Sequence, residues 1–327
     1  MTSVPAGSAP PAEPLRPADV RNARRMPNPR ETLERCALRA QLRGDPMLGT
    51  AFPSARLLLV EQPGPWGRHA LIDSRFDRDT AVALTERTRA IGVRLQVIRR
   101  PGRDARPARR RWAFADTRAG IETVRWGSFD RDAELLDLPL DGSAGEIDNS
   151  VVHLVCTHGR HDVCCALRGR PVAAALADAA PGQVWETSHL GGERFGANVL
   201  VLPAGLLYGR VLPFAAAEFV AAAQADEVVG ALLRGRIGTP PAGQAALAFA
   251  HEQLALPRRG DLEVRSVGTF RDGFALVRVR SPHGELDVTV AAEQVPVDGL
   301  TCGNPRRGVY WRYLPVRIDR VDGSPVV

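Results

Sequence analysis

The stretch "VVHLVCTHGRHDVCCALRGRPVAAALADAA" (151–180) decides the reading of this chain. Its apolar start, "VVHLV", reads as a buried strand. The strand runs into a polar loop that begins at Cys156. "RPVAAALADAA" then reads as a helix, with Pro171 suited to its first turn. Strand, loop and helix in that order open an α/β unit, and such folds place their sites in the loop at the C-terminal end of the strand. Three of the five cysteines and two of the seven histidines fall between Cys156 and Cys165.

Working outward, "QVWETSHL" (183–190), "ANVLVLP" (197–203) and "LLYGRV" (206–211) read as three further strands. "PFAAAEFVAAAQADEVVGALLRG" (213–235) reads as the longest helix. Upstream, "ARLLLVEQ" (55–62) is a buried strand ended by "PGPWG". "DRDTAVALTERTRAIG" (77–92) has helical spacing, an acidic start and Gly92 just past its end. "VRLQVIRR" (93–100), "RWAFADT" (111–117) and "ETVRWGSF" (122–129) alternate like strands, and "DRDAELLDLPL" (130–140) suggests a short helix. Both halves therefore read β-α-β-β-β-α, although their sequences do not visibly match.

The fold class expected is α/β, with a thioredoxin-like layer at 146–237 and a related half at 31–145. Residues 1–30 are Pro-rich and read as a disordered tail without the apolar core of a signal peptide. After the break "GTPPAG" (238–243) comes a helix, "QAALAFAHEQLAL" (244–256), and then alternating strands. Residues 238–327 thus read as a small α+β region containing Cys302 in "TCGNP".

Of 327 residues, 44% are apolar, enough for real cores. Every one of the 43 basic residues is arginine, so the charge of +6 reflects codon usage more than nucleic-acid binding, and no nucleic acid is expected. The run "RRPGRDARPARRRW" (99–112) reads as a solvated loop. No stretch reaches the roughly 18 apolar residues of a membrane span. An odd number of cysteines does not suit a secreted disulfide framework, so the expected compartment is a reducing cytoplasm, where clustered cysteines bind metal or do redox work.

Cys156 ends one strand, and Cys164 and Cys165 follow it. His189 ends the next strand, before Gly191 and Gly192, whose lack of a side chain permits unusual backbone angles. The two loops are expected at the same end of the sheet. Thiolates with imidazole suit zinc or an iron–sulfur cluster better than calcium or magnesium. There is no C-x2-C, hence neither a zinc-finger spacing nor a thioredoxin-type redox motif. No G-x-G-x-x-G follows a strand. A Cys–His hydrolase built on Cys156 or Cys165 with His189 lacks a marked oxyanion hole. Cys36 and Cys302, far away in sequence, read as structural. His158 either donates to a sulfur of a cluster or holds the loop through a backbone carbonyl. His161 and Asp162 read as loop surface and a turn or helix cap.

Together, "CTHGRHDVCCALRGRPVA" (156–173), "VWETSHLGGERFGANVLVLPAGLLYGRV" (184–211), "RCALRAQLRGDPMLGTA" (35–51) and "LLLVEQPGPWGRHAL" (57–71) resemble the bacterial branch of the sucrase/ferredoxin-like family. The resemblance implies a thioredoxin-like ferredoxin domain and one-electron transfer with a redox partner, a reductase or a client. No paired carboxylates mark a glycosidase, so a sucrase activity is not supported. In the characterised eukaryotic branch a [2Fe–2S] cluster is held by two cysteines in C-x8-C and two histidines in H-x3-H. Carried over, these fall on Cys156, Cys165 and His189. The second histidine falls on Glu193. Three outcomes stay open: Glu193 ligates iron, Cys164 replaces it, or the cluster is lost. Arg194 pairs with Glu193, neutralises cluster charge or lies exposed. The alternatives to a cluster are a structural zinc site on the same residues and a metal-free thioredoxin-like binding protein.

Overall fold

The computed structural model describes residues 35–102, 109–304 and 306–321. The tail at 1–30 and residues 103–108 of the arginine-rich run lie outside the described residues. A short helix, α1 (Cys36–Leu42), comes first. Strand β1 (Arg56–Glu61) is buried from Leu57 onward. A run buried on both faces belongs inside a covered sheet. Accordingly β1 lies parallel to β2 (Val93–Arg99) and antiparallel to β3 (Arg110–Asp116). Helix α2 (Arg78–Ala90) connects β1 to β2, and the Asp77 side chain caps it by accepting from the Thr80 N–H. β4 (Thr123–Phe129) and β5 (Glu146–Ile147) extend the sheet beyond β3.

The second half repeats this plan with β6 (Val152–Cys156), α3 (Val163–Ala179), β7 (Val184–Thr187), β8 (Val199–Leu202), β9 (Leu206–Tyr208) and α4 (Ala216–Gln224). β6 is parallel to β7 and antiparallel to β8, and β8 is antiparallel to β9. These are the relations among β1, β2, β3 and β4. The equivalent strands β2 and β7 meet antiparallel, through Ile98↔Thr187 and Arg99↔Glu186. Equivalent strands meeting antiparallel relate the halves by an approximate twofold axis through the sheet. With β10 (Leu233–Arg236) at the far edge, the result is one ten-stranded mixed sheet.

The sheet curls, and on one face both halves share a core in which Leu57, Ile98 and Trp126 join Leu154, Trp185 and Leu200. On the other face α2 and α3 cover separate apolar clusters. Helix α5 (Pro241–Gln253) packs on a second, four-stranded antiparallel sheet: β11 (Glu263–Val267), β12 (Phe274–Ser281), β13 (Gly284–Asp298) and β14 (Arg307–Arg320). Among the described residues no helix is long and apolar enough to cross a membrane.

Three elements differ from the sequence expectation. Helix α3 begins at Val163, so Pro171 is inside it rather than in its first turn. Pro171 and Leu167, whose carbonyl loses its partner there, are both exposed, so the freed carbonyl is open to solvent. The helix expected over 213–235 is short, because Asp226 adopts φ +57 and ends α4. Residues 233–236 instead form β10 and satisfy the edge of β9. The helix expected over 130–140 is a single 3-10 turn, Asp132–Leu136.

Candidate metal centre

Cys156 is the last residue of β6, and its register partner is Thr187, the last of β7. Parallel neighbours release their following loops at the same end of the sheet. His189, two residues beyond β7, therefore comes back over Cys156. The chain after Cys156 makes one short loop and enters α3 at Asp162, whose carboxylate accepts from the Cys164 N–H. Asp162 is thus the helix cap that the sequence suggested. Cys164 and Cys165 lie in a first helical turn rather than on extended backbone. They face different groups, Cys165 the core under the sheet and Cys164 a second cluster with Cys36.

Ligand atoms of Cys156, Cys165 and His189 all lie within 4.8 Å of one another. The Cys165 Sγ is 3.7 Å from His189 Nδ1. The other ring nitrogen, Nε2, is 3.4 Å from a Glu193 carboxylate oxygen. His189 therefore has a thiol at one nitrogen and a carboxylate at the other. That is how metal-binding histidines are commonly oriented.

The charges reinforce one another. The hydrogen bond from Cys165, with help from His189, holds the Cys156 thiol well below its ordinary range despite burial. Donation to the Cys156 thiolate, together with burial, pushes Cys165 up. Burial alone would lower His189, but the Cys156 and Glu193 anions outweigh it and raise the imidazolium to about 9. Burial disfavours the Glu193 anion too, yet the hydrogen bond to His189 leaves its carboxyl below the usual range. Without a metal these directions all favour a thiolate–imidazolium–carboxylate chain. It has the donor chemistry of a soft metal site, and metal binding must displace protons from it.

Cys156 and Cys165 are each 1% exposed. A substrate-attacking nucleophile needs access, so these thiols do not suit the hydrolase reading.

Gly191 and Gly192 are both in the left-handed region, at φ +83 and +67. Two such residues in succession turn Glu193 back toward His189. A Cβ on Gly192 would stand 2.5 Å from an Arg234 nitrogen.

Arg234, on β10, is a residue beneath the candidate site that the sequence did not reveal. It is fully buried and donates to the Gly191 carbonyl at 2.8 Å, the Asn198 side chain at 2.9 Å and the Thr50 carbonyl at 2.7 Å. Arg94 donates to the His189 carbonyl at 2.9 Å, and Asn198 to the Gly192 carbonyl at 2.9 Å. One arginine among so many carries no sequence signal for this role.

His158 holds the loop through a backbone carbonyl, its Nε2 lying 2.6 Å from the Gly67 oxygen. Its ring meets Trp66 edge-on, and its buried Nδ1 has no partner. His161 is on the surface as expected, but its ring also stacks on His189 with centroids 3.7 Å apart. Arg194 is neither exposed nor paired with Glu193. Its side chain lies 3.5 Å from Asp45, between the Phe195 and Tyr310 rings.

The sucrase/ferredoxin-like family model matches residues 47–235. The chain belongs to that family. The matched segment contains Cys156, Cys165, His189 and Glu193, and the twofold-related halves lie almost wholly within it. Cys36 and Cys302 fall outside it. No curated protein matches the chain, and no solved structure does.

Proposed function

We propose that this sucrase/ferredoxin-like protein is a one-electron carrier whose [2Fe–2S] cluster is held by Cys156, Cys165 and His189, with Glu193 orienting the His189 ring from its far nitrogen. The carrying observation is the convergence of two buried thiols and an imidazole at one end of parallel strands, with a carboxylate on the free side of the imidazole. Strand order supports a thioredoxin-like reading of each half, with the centre in the second. When bound, the cluster supplies one-electron chemistry, and its potential rises as imidazole replaces thiolate.

The protein's own residues do the rest. Cys156 offers a preformed thiolate, and Glu193 fixes the His189 ring. Leu190, 1% exposed, and Trp185 keep water from the thiols. His161, stacked on His189 and exposed, gives the centre its route to the surface. Beside it Arg99, Arg160 and Arg170 line a groove of about 350 Å³ with Trp66 and His158. Such a cationic rim suits transient docking of an acidic redox partner. Five free thiols suit a reducing cytoplasm.

A single zinc ion is the second reading, favoured by the compactness of the three ligand atoms. Anaerobic purification, a visible spectrum and assays of iron and acid-labile sulfide separate the two. The cluster reading expects brown protein with about two irons and two sulfides per chain, bleached by dithionite, and colourless in Cys156→Ser. Colourless protein that stays so after reconstitution overturns it. Zinc lost on Cys156→Ser would then support the second reading.

A further inference from the structure

Cys164 turns away from its neighbour Cys165. Its Sγ lies 3.4 Å from that of Cys302, which in turn lies 3.5 Å from that of Cys36. The Asp162 carboxylate oxygens are 3.8 and 3.9 Å from the Cys36 Sγ. All four ligand atoms fall within 4.8 Å of one another. They come from positions 36, 162, 164 and 302, which is three separate parts of the chain. Cys36, Cys164 and Asp162 are buried, and Cys302 is half-buried.

We propose that Cys36, Asp162, Cys164 and Cys302 form a structural zinc site, separate from the centre at Cys156. The proposal does not rest on the cluster reading, because the two sites share no ligand.

Zinc–sulfur bonds of about 2.3 Å in a tetrahedron place sulfurs about 3.8 Å apart. The observed separations are near that edge and far above the roughly 2.05 Å of a disulfide. Three thiols and one carboxylate match a closed structural site, in which the protein supplies all four ligands. The carboxylate is already aimed. One oxygen accepts from the Cys164 N–H and the other from the Cys302 N–H, both at 2.8 Å. The Cys36 N–H donates to the Cys302 sulfur at 3.4 Å.

Such an ion would tie α1, the first turn of α3 and the β13–β14 turn together. It would also fix the turn of α3 that aims Cys165 at His189. Ordinary packing of buried thiols explains a pair. Capping of α3 explains the Asp162 orientation, but neither explains three thiols gathered from separate parts of the chain around that carboxylate.

The test is metal content of the full chain expressed with zinc and passed through chelating buffer. The expected result is about one zinc per chain in the wild type and in Cys156→Ser, at least a tenfold loss in Cys36→Ser and Cys302→Ser, and unchanged iron in Cys302→Ser. Should the serine variants not fold, Cys156→Ser from cobalt-supplemented medium still decides. It should show the thiolate charge-transfer and tetrahedral d–d bands of one Co(II) per chain. Three results overturn the site: no zinc and no cobalt in Cys156→Ser, zinc that follows Cys156 rather than Cys36, or a disulfide among the three cysteines in unreduced protein.

Discussion

Gly169 sits where α3 crosses β6, and its missing side chain sets how close Cys165 comes to Cys156. A Cβ there would overlap the Cys156 carbonyl oxygen. In an open helix, Gly→Ala stabilises by about 1 kcal/mol. Here the sign should reverse. Gly169→Ala is expected to destabilise by about 1–3 kcal/mol, the cost of overpacking, and to weaken metal retention. Urea unfolding of the two proteins checks this, and a more stable variant would refute the close-packed crossing. Cys156, Cys165 and His189 were all legible as a candidate site from their types and spacing, and the structure brings them together. The partnership of His189 with Glu193 was not, because it depends on two left-handed glycines that fold residue 193 back.

At the scale of elements, β10 shows how pairing overrides local preference. Residues 213–235 carry enough alanine to read as one helix, yet the open edge of β9 takes up residues 233–236. That pairing delivers Arg234 beneath the loop after β7. Its guanidinium donates to four oxygens, those of Gly191, the Asn198 side chain, and the Thr50 carbonyl and hydroxyl. Leaving a buried acceptor unsatisfied costs about 1–3 kcal/mol. Arg234→Met, close in volume, should therefore destabilise by roughly 3 kcal/mol or more and release the His189 loop. Denaturation measures the first effect and metal content the second. Arg234→Met protein with wild-type stability and metal content would show that β10 is mere edge. Helix α3 gives the complementary lesson. Its true start at Asp162 was visible as a cap residue, but Pro171 suggested a later start, because a proline inside a helix is tolerated only where water serves the freed carbonyl.

For the whole molecule, stability should depend on pH through a group on the opposite face of β6 from Cys156. His153, on β6, is fully buried against Phe219, and neither ring nitrogen has a hydrogen-bond partner. Burial lowers its imidazole from 6.5 to about 4. Between those values the unfolded chain binds the proton and the folded chain does not, so stability falls as pH drops through 6.5 toward 4. From pH 7.5 to 5.0 this single group should cost about 2 kcal/mol. Comparing the pH dependence of urea unfolding in wild type and His153→Leu isolates it. Equal slopes would mean that His153 is not buried neutral. The sheet pairing between the halves runs through two residues on each strand, supported by the shared core, the Arg99–Glu186 ion pair and the Trp126–Trp185 stack.

The sequence alone determined most of the alternation of strands and helices in each half, the α+β character of the C-terminal part and the loops that bear the candidate site. Those follow from local periodicity and from the rule that parallel strands release their loops at one end. It also determined the family, through motifs that lie close together along the chain. Only the tertiary structure decided which cysteine faces which partner. Adjacent residues in a helical turn diverge by about 100°, so Cys164 and Cys165 were bound to face different neighbours once α3 was in place. The residues waiting there, Cys36 and Cys302 on one side and His189 on the other, are brought by long-range packing that no local pattern records.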